Sequence, residues 1–155
     1  MSKISVFPEN ASLRQHAEDL AKKLNLPLIS ERSEAKDYIL LVSENYIALQ
    51  QTNANITPLF IDFSSKQLIY RRQRATVKRE TLARAMGLKS NTQTTIVDAT
   101  AGLARDSFIL AALGFEITLL ERSPLIAELL NDGLQRARQD ADVSPIIKRM
   151  HLIQT

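Results

Sequence analysis

The sequence predicts an α/β chain in which a small α+β unit precedes the opening half of a parallel sheet of the doubly wound kind. Two observations predict it. From Thr95 the apolar pattern runs strand, loop, helix, strand, loop, helix, strand, an alternation that implies parallel strands joined by helical crossovers. The first of those strands passes into its helix through a turn containing Gly102, the arrangement with which sheets of this class open a ligand site.

The elements follow in chain order. Residues 3–7 read as a short strand, and 12–24 as a helix capped by Ser12, because Leu13, Ala17, Leu20, Ala21 and Leu24 recur at helical spacing. Residues 37–42 form an apolar run suited to a buried strand. Residues 59–63 and 68–70 flank Ser64-Ser65-Lys66-Gln67, which suits a hairpin. Together these segments predict a small α+β domain over 1–75. A basic helix over 77–86, stopped by Gly87 and with Leu82, Ala83 and Met86 on its apolar side, opens a connector over 76–93 that ends in the polar stretch 90–94.

The remaining residues, 94–155, carry the alternating pattern. Strands are predicted over 95–97, 116–120 and 151–154, and a helix over 105–113 with Gly114 as its stop. Ser123-Pro124 supplies a cap and a first-turn proline for a second helix running to about Gln139. Three strands are half of the roughly six that a doubly wound sheet normally holds. The chain is therefore expected to be a truncated form, with part of the site carried by further strands and with an uncovered sheet edge that favours self-association.

Composition narrows the function classes. The 155 residues are 45% hydrophobic, enough for a core, and contain no cysteine, which excludes disulfides, thiolate metal sites and a cysteine nucleophile. No metal is expected. No apolar stretch approaches the roughly 20 residues of a membrane span, and the N-terminus is too briefly apolar for a signal peptide, so a cytoplasmic location is expected. The net charge is +3, yet between Lys66 and Lys89 eight lysines and arginines face the single acid Glu80. That block, with Arg71, Arg72, Arg74, Lys78 and Arg79 at its centre, can contact phosphates from two adjacent elements and predicts binding to RNA. Its other reading is a solvated helix face.

The chemistry is carried by Val97-Asp98-Ala99-Thr100-Ala101-Gly102-Leu103-Ala104-Arg105-Asp106, between strand and helix. A glycine turn at a helix N-terminus lets backbone approach a ligand and favours negative charge. The methionine end of S-adenosylmethionine carries a carboxylate and an ammonium, and Asp98 at the strand's end can receive the ammonium. The pyrophosphate of a dinucleotide would instead be repelled by that acid. Glu121, closing the second strand, can accept both ribose hydroxyls, a device that nicotinamide enzymes share. The glycines separate the two classes, because a dinucleotide fingerprint needs three and 89–113 holds only Gly102. Arg105 and Arg122 either frame the cofactor or are solvated charges. A nucleotide-dependent oxidoreductase and a non-catalytic RNA-binding module remain as alternatives.

The stretch from Asp98 to Asp106, then Leu120-Glu121-Arg122-Ser123-Pro124, then Leu129-Leu130-Asn131-Asp132-Gly133-Leu134, resembles the ribosomal RNA small subunit methyltransferase J family. Phe60-Ile61-Asp62-Phe63, and Tyr70-Arg71-Arg72 leading to Ala85-Met86-Gly87-Leu88-Lys89, extend the likeness upstream. The resemblance implies the first half of a Rossmann-like methyltransferase fold that uses S-adenosyl-L-methionine and acts on N2 of a guanosine in small-subunit ribosomal RNA. It implies cofactor contacts at Arg105, Asp106, Glu121 and Arg122, beside Asp98 and Gly102. Ala104 stands where the family commonly has glycine, and an alanine fits there if the backbone has ordinary helical angles. The catalytic residues, including an Asp-Pro-rich loop, are expected beyond Thr155, which leaves the fragment itself without turnover.

Overall fold

The computed structural model describes residues 3–90 and 93–155 and divides the chain into two compact units, 1–61 and 62–155. Asn91 and Thr92 of the polar connector lie outside the described residues. Asp62 to Ala75 are thus counted with the second unit.

In the first unit β1 (Ile4–Pro8) pairs in parallel with β2 (Tyr38–Val42), which pairs antiparallel with β3 (Ile47–Gln51). Helix α1 (Arg14–Leu24) makes the crossover, burying Ala17, Leu20 and Ala21. Its approach is a short 3₁₀ turn over Ala11–Leu13 capped by Asn10, whose side chain accepts from the Ser12 amide, so Asn10 rather than Ser12 is the capping residue. Asn25 ends α1 in the left-handed conformation at φ 52°, a role asparagine tolerates better than most residues.

The hairpin of this unit is β2–β3, joined through Ser43, whose Oγ accepts from the amides of Asn45 and Tyr46. Strand β3 escaped the sequence reading because its polar end, Gln50 and Gln51, masks the buried Ile47 and Ala48. The expected hairpin over 59–70 is corrected. Leu59 makes only an isolated bridge to Leu49, and Lys66–Arg74 is a helix, α2. The four residues read as a hairpin turn are a helix entry: Asp62 accepts from the Ser64 amide through Oδ1, and the Ser65 carbonyl accepts from Ile69. Leu68 is buried on the helix while Tyr70 is exposed.

In the second unit a short helix α3 (Thr81–Ala85) replaces the longer one expected from residue 77, because Thr76 accepts from the amides of Arg79 and Glu80 and closes a turn first. Then β4 (Thr95–Asp98), α4 (Arg105–Ala112), β5 (Glu116–Glu121), α5 (Pro124–Arg138), α6 (Ser144–Ile147) and β6 (Met150–Gln154) build a parallel sheet in the order β4-β5-β6. The predicted alternation is present, and so is the Ser123 cap, which accepts from the Ile126 amide. Helix α6 was not expected; its four residues are held by burial of Ile146 and Ile147 beside Val143.

Asp140, in the loop between α5 and α6, ties that loop to the entry of α2. Its carboxylate accepts from the Ser64 hydroxyl and from the Asp142 amide, and these hydrogen bonds, Ser64 first, hold its pKa below the ordinary aspartate range. A carboxyl depressed in the folded state stabilises above its unfolded pKa and loses that contribution as pH falls through the folded one. Asp140→Asn is therefore expected to be less stable at neutral pH, and its deficit to close on acidification below about pH 4. Urea titrations of both proteins at pH 7 and in the acid limb check this; a deficit constant with pH would contradict it.

Candidate cofactor site

The site is built where β4 and β5 end. The two strands are parallel with Asp98 opposite Leu119, so Glu121 lies two residues further along the same rim. Parallel pairing brings both carboxylates to the carboxyl ends of neighbouring strands, the rim at which open α/β sheets hold ligands.

Each carboxylate fixes its own turn. Asp98 accepts from the Thr100 amide at 3.1 Å through one oxygen and from the Ser107 hydroxyl through the other. Glu121 accepts from the Gly102 amide at 3.0 Å and from the Ser123 amide at 2.8 Å. The Glu121 side chain thus links the loop after β4 to the loop after β5. An ionised carboxylate has about four acceptor positions, so both acids keep capacity for further donors. Ser107, buried on the first turn of α4, was missed by sequence reasoning; the available signal was a serine within an otherwise apolar helix face.

The turn between the carboxylates contains two left-handed residues, Gly102 at φ 50° and Ala104 at φ 51°. A Cβ on Gly102 would meet only the Thr100 carbonyl oxygen at 3.8 Å, so conformation rather than crowding reserves this position for glycine. Ala104 corrects the expectation of ordinary helical angles: at φ 51°, ψ 28° it is the left-handed cap of α4, where an L side chain is strained. Ala104→Gly is accordingly expected to stabilise the unit by about 0.5–1 kcal/mol, the relief outweighing the greater freedom glycine gains on unfolding. A lower urea midpoint for the variant would contradict this.

Beside the turn lies a cleft of about 490 Å³ lined by Asp98, Gly102, Arg105, Asp106 and, from α3, Leu82 and Met86. A second recess of about 520 Å³ shares Thr100 and Gly102 with it and is lined by Glu121, Arg122 and Thr155. All six residues expected at the cofactor, Asp98, Gly102, Arg105, Asp106, Glu121 and Arg122, therefore line these two adjoining spaces. The amides of Arg105, Asp106 and Ser107 open α4, where first-turn donors have no acceptor within the helix. Open space, helix-opening donors and two carboxylates suit a ligand with a carboxylate, an ammonium and vicinal hydroxyls.

The basic residues are placed less uniformly. Arg71 lies between two carboxylates, donating to Glu80 at 2.8 Å and to Asp106 at 2.7 Å; Glu80 and then Asp106 hold its guanidinium above its ordinary pKa against the effect of partial burial. Arg72 donates to the Asp142 carbonyl at 2.8 Å. Arg74 lies 4.0 Å over the Tyr70 ring, and Arg74, Lys78 and Arg79 are exposed. Among the described residues there is no cluster of histidine and acidic side chains able to hold a metal, and no helix is long and apolar enough to cross a membrane.

The family model described as "Putative SAM-dependent methyltransferase" matches residues 19–155. The chain belongs to that family. S-adenosylmethionine is the cofactor the family is named for. The chain is similar to proteins named ribosomal RNA small subunit methyltransferase J, which bears out the resemblance seen in the motifs. It is 46% identical to that of Thioalkalivibrio sulfidiphilus over 98% of this chain and 60% of the relative, and 44% identical to that of Dechloromonas aromatica over 86% and 53%. A crystal structure of a SAM-dependent methyltransferase from Neisseria gonorrhoeae superposes with a TM-score of 0.75 at 27% identity, over 97% of this chain and 59% of that one. The Rossmann-like methyltransferase fold is thereby shown. The chain spans about 60% or less of the length of these relatives.

Proposed function

We propose that this chain holds S-adenosylmethionine at the rim of β4 and β5, within a cytoplasmic protein that methylates N2 of a guanosine in small-subunit ribosomal RNA. The observation that carries the reading is the pair Asp98 and Glu121, brought to one rim on either side of the Gly102 turn and facing open space. Asp98, with the α4 amides, would take the methionine ammonium and carboxylate. Glu121 would take the ribose hydroxyls, and Arg105, Asp106 and Arg122 would frame the cofactor at the mouths of the two spaces.

When bound, the cofactor supplies an electrophilic methyl group on a sulfonium. The guanine amine is a weak nucleophile because its lone pair is delocalised, so holding it in a near-attack geometry supplies a large share of the rate enhancement. A base within a paired RNA region must be unpaired or flipped to be reached. Of the five cations at the centre of the basic block, Arg74, Lys78 and Arg79 are exposed and suited to its phosphates.

Calorimetric titration of the chain with S-adenosylhomocysteine and with NAD tests the cofactor reading. Binding of the former, weakened by Asp98→Ala, is expected; binding of NAD alone would replace the reading with a nucleotide-dependent oxidoreductase. For the substrate, a protein of the relatives' full length should transfer labelled methyl to small-subunit ribosomal RNA. Label at any atom other than a guanine N2 would remove the proposed specificity.

A further inference from the structure

We infer that Arg71 is a positioning residue for the cofactor rather than an RNA contact, holding Asp106 at the mouth of the cleft through a bridge anchored on Glu80. The inference rests on the proposed cofactor reading of the Gly102 turn. It is carried by a pairing that joins two groups which the sequence assigned to different ligands, Arg71 to RNA and Asp106 to the cofactor.

The geometry has a fixed end and a free end. Glu80 is largely buried, with 14% of its side chain exposed, whereas the Asp106 side chain is 62% exposed and Arg71 lies between them at 38%. One guanidinium nitrogen meets Glu80 at 2.8 Å and another meets Asp106 at 2.7 Å. An exposed aspartate on a helix's first turn would ordinarily sample several rotamers. Here Arg71 engages its Oδ1 and leaves Oδ2 as the oxygen able to accept from a ligand.

Three elements meet at this bridge. Arg71 projects from α2, Glu80 immediately precedes α3, whose Leu82 lines the cleft together with Met86 just after it, and Asp106 belongs to the first turn of α4. The guanidinium also offsets part of the negative charge of Asp106 beside the helix N-terminus, where a methionine carboxylate would otherwise meet a bare like charge. A planar guanidinium serves two carboxylates from separate nitrogens at fixed angles, whereas the three donors of a lysine ammonium rotate about one nitrogen.

The test is S-adenosylhomocysteine affinity by calorimetry on this chain, with urea stability measured in parallel. Arg71→Gln is expected to weaken binding roughly tenfold. In an Asp106→Asn background the same change should cause no further loss, because Arg71 acts through Asp106. Glu80→Gln should weaken binding in the same direction by a smaller factor, and Arg71→Lys should recover less than half of the loss. Unchanged affinity in Arg71→Gln, with or without lower stability, overturns the inference and leaves the cofactor reading standing, as does full recovery by Arg71→Lys. A parent chain that binds no S-adenosylhomocysteine removes the cofactor reading and this inference with it.

Discussion

Glu121→Ala is expected to lower S-adenosylhomocysteine affinity by about 100-fold or more and to reduce stability by roughly 1–2 kcal/mol. The two effects have one cause. The carboxylate accepts from Gly102 and Ser123, so its removal leaves an amide in each loop without its acceptor, as well as removing the proposed partner of the ribose hydroxyls. Both loops are partly exposed, and water can replace part of what is lost, which places the stability effect at the lower end for orphaned donors. Affinity should fall further than stability because the left-handed Gly102 turn and the start of α5 are no longer held in register. Glu121→Gln separates the contributions: its amide oxygen can serve one of the two donors while its NH₂ opposes the other. Calorimetry and urea titration of the three proteins decide the matter. Unaltered affinity in a destabilised Glu121→Ala would reduce this residue to a tie between loops.

The parts of this architecture that follow local periodicity were legible in the sequence. Strands β4, β5 and β6 and helices α4 and α5 were found because apolar period and caps agree, and Asp98 and Glu121 were placed correctly because strand ends follow from that period. Where local preference and tertiary burial disagree, the reading failed. Leu68-Ile69-Tyr70 has strand-like composition, yet the segment is helical and buries Leu68, while Arg71 and Arg72 on the same helix are tied to Glu80, Asp106 and the Asp142 carbonyl, contacts that no local propensity carries. Ala104 shows a different limit: an alanine carries no sign of its φ, and only the closing of the turn by the Ala104 amide on the Ala101 carbonyl at 2.7 Å reveals it. The Arg71–Asp106 pair joins residues 35 positions apart, beyond any local pattern. Charge density and layout pointed Arg71 at RNA, and its carboxylate partners at Glu80 and Asp106 become visible only in the fold.

The largest stability effect is expected at Phe108, where Phe108→Ala should cost about 3–5 kcal/mol. Phe108 has no exposed surface and packs at 5.3 Å against Phe63, itself 1% exposed, so truncation removes a ring from a filled interior and leaves a cavity lined partly by a second aromatic. Domains of this size are typically stable by roughly 5–15 kcal/mol, so the loss would bring the second unit near its unfolding threshold. The consequence reaches the rim. Phe108 follows Ser107 and Asp106 on the first turns of α4, and its burial fixes the helix whose serine holds Asp98. Phe108→Leu keeps most of the volume and should cost substantially less. In a double-mutant cycle Phe63→Ala should add less than its separate cost once Phe108 is gone, since the two rings share one contact. Urea unfolding of the single and double variants measures both terms. Strict additivity would mean that each ring is held by the rest of the core and that their stacking does not fasten the entry of α2 to α4.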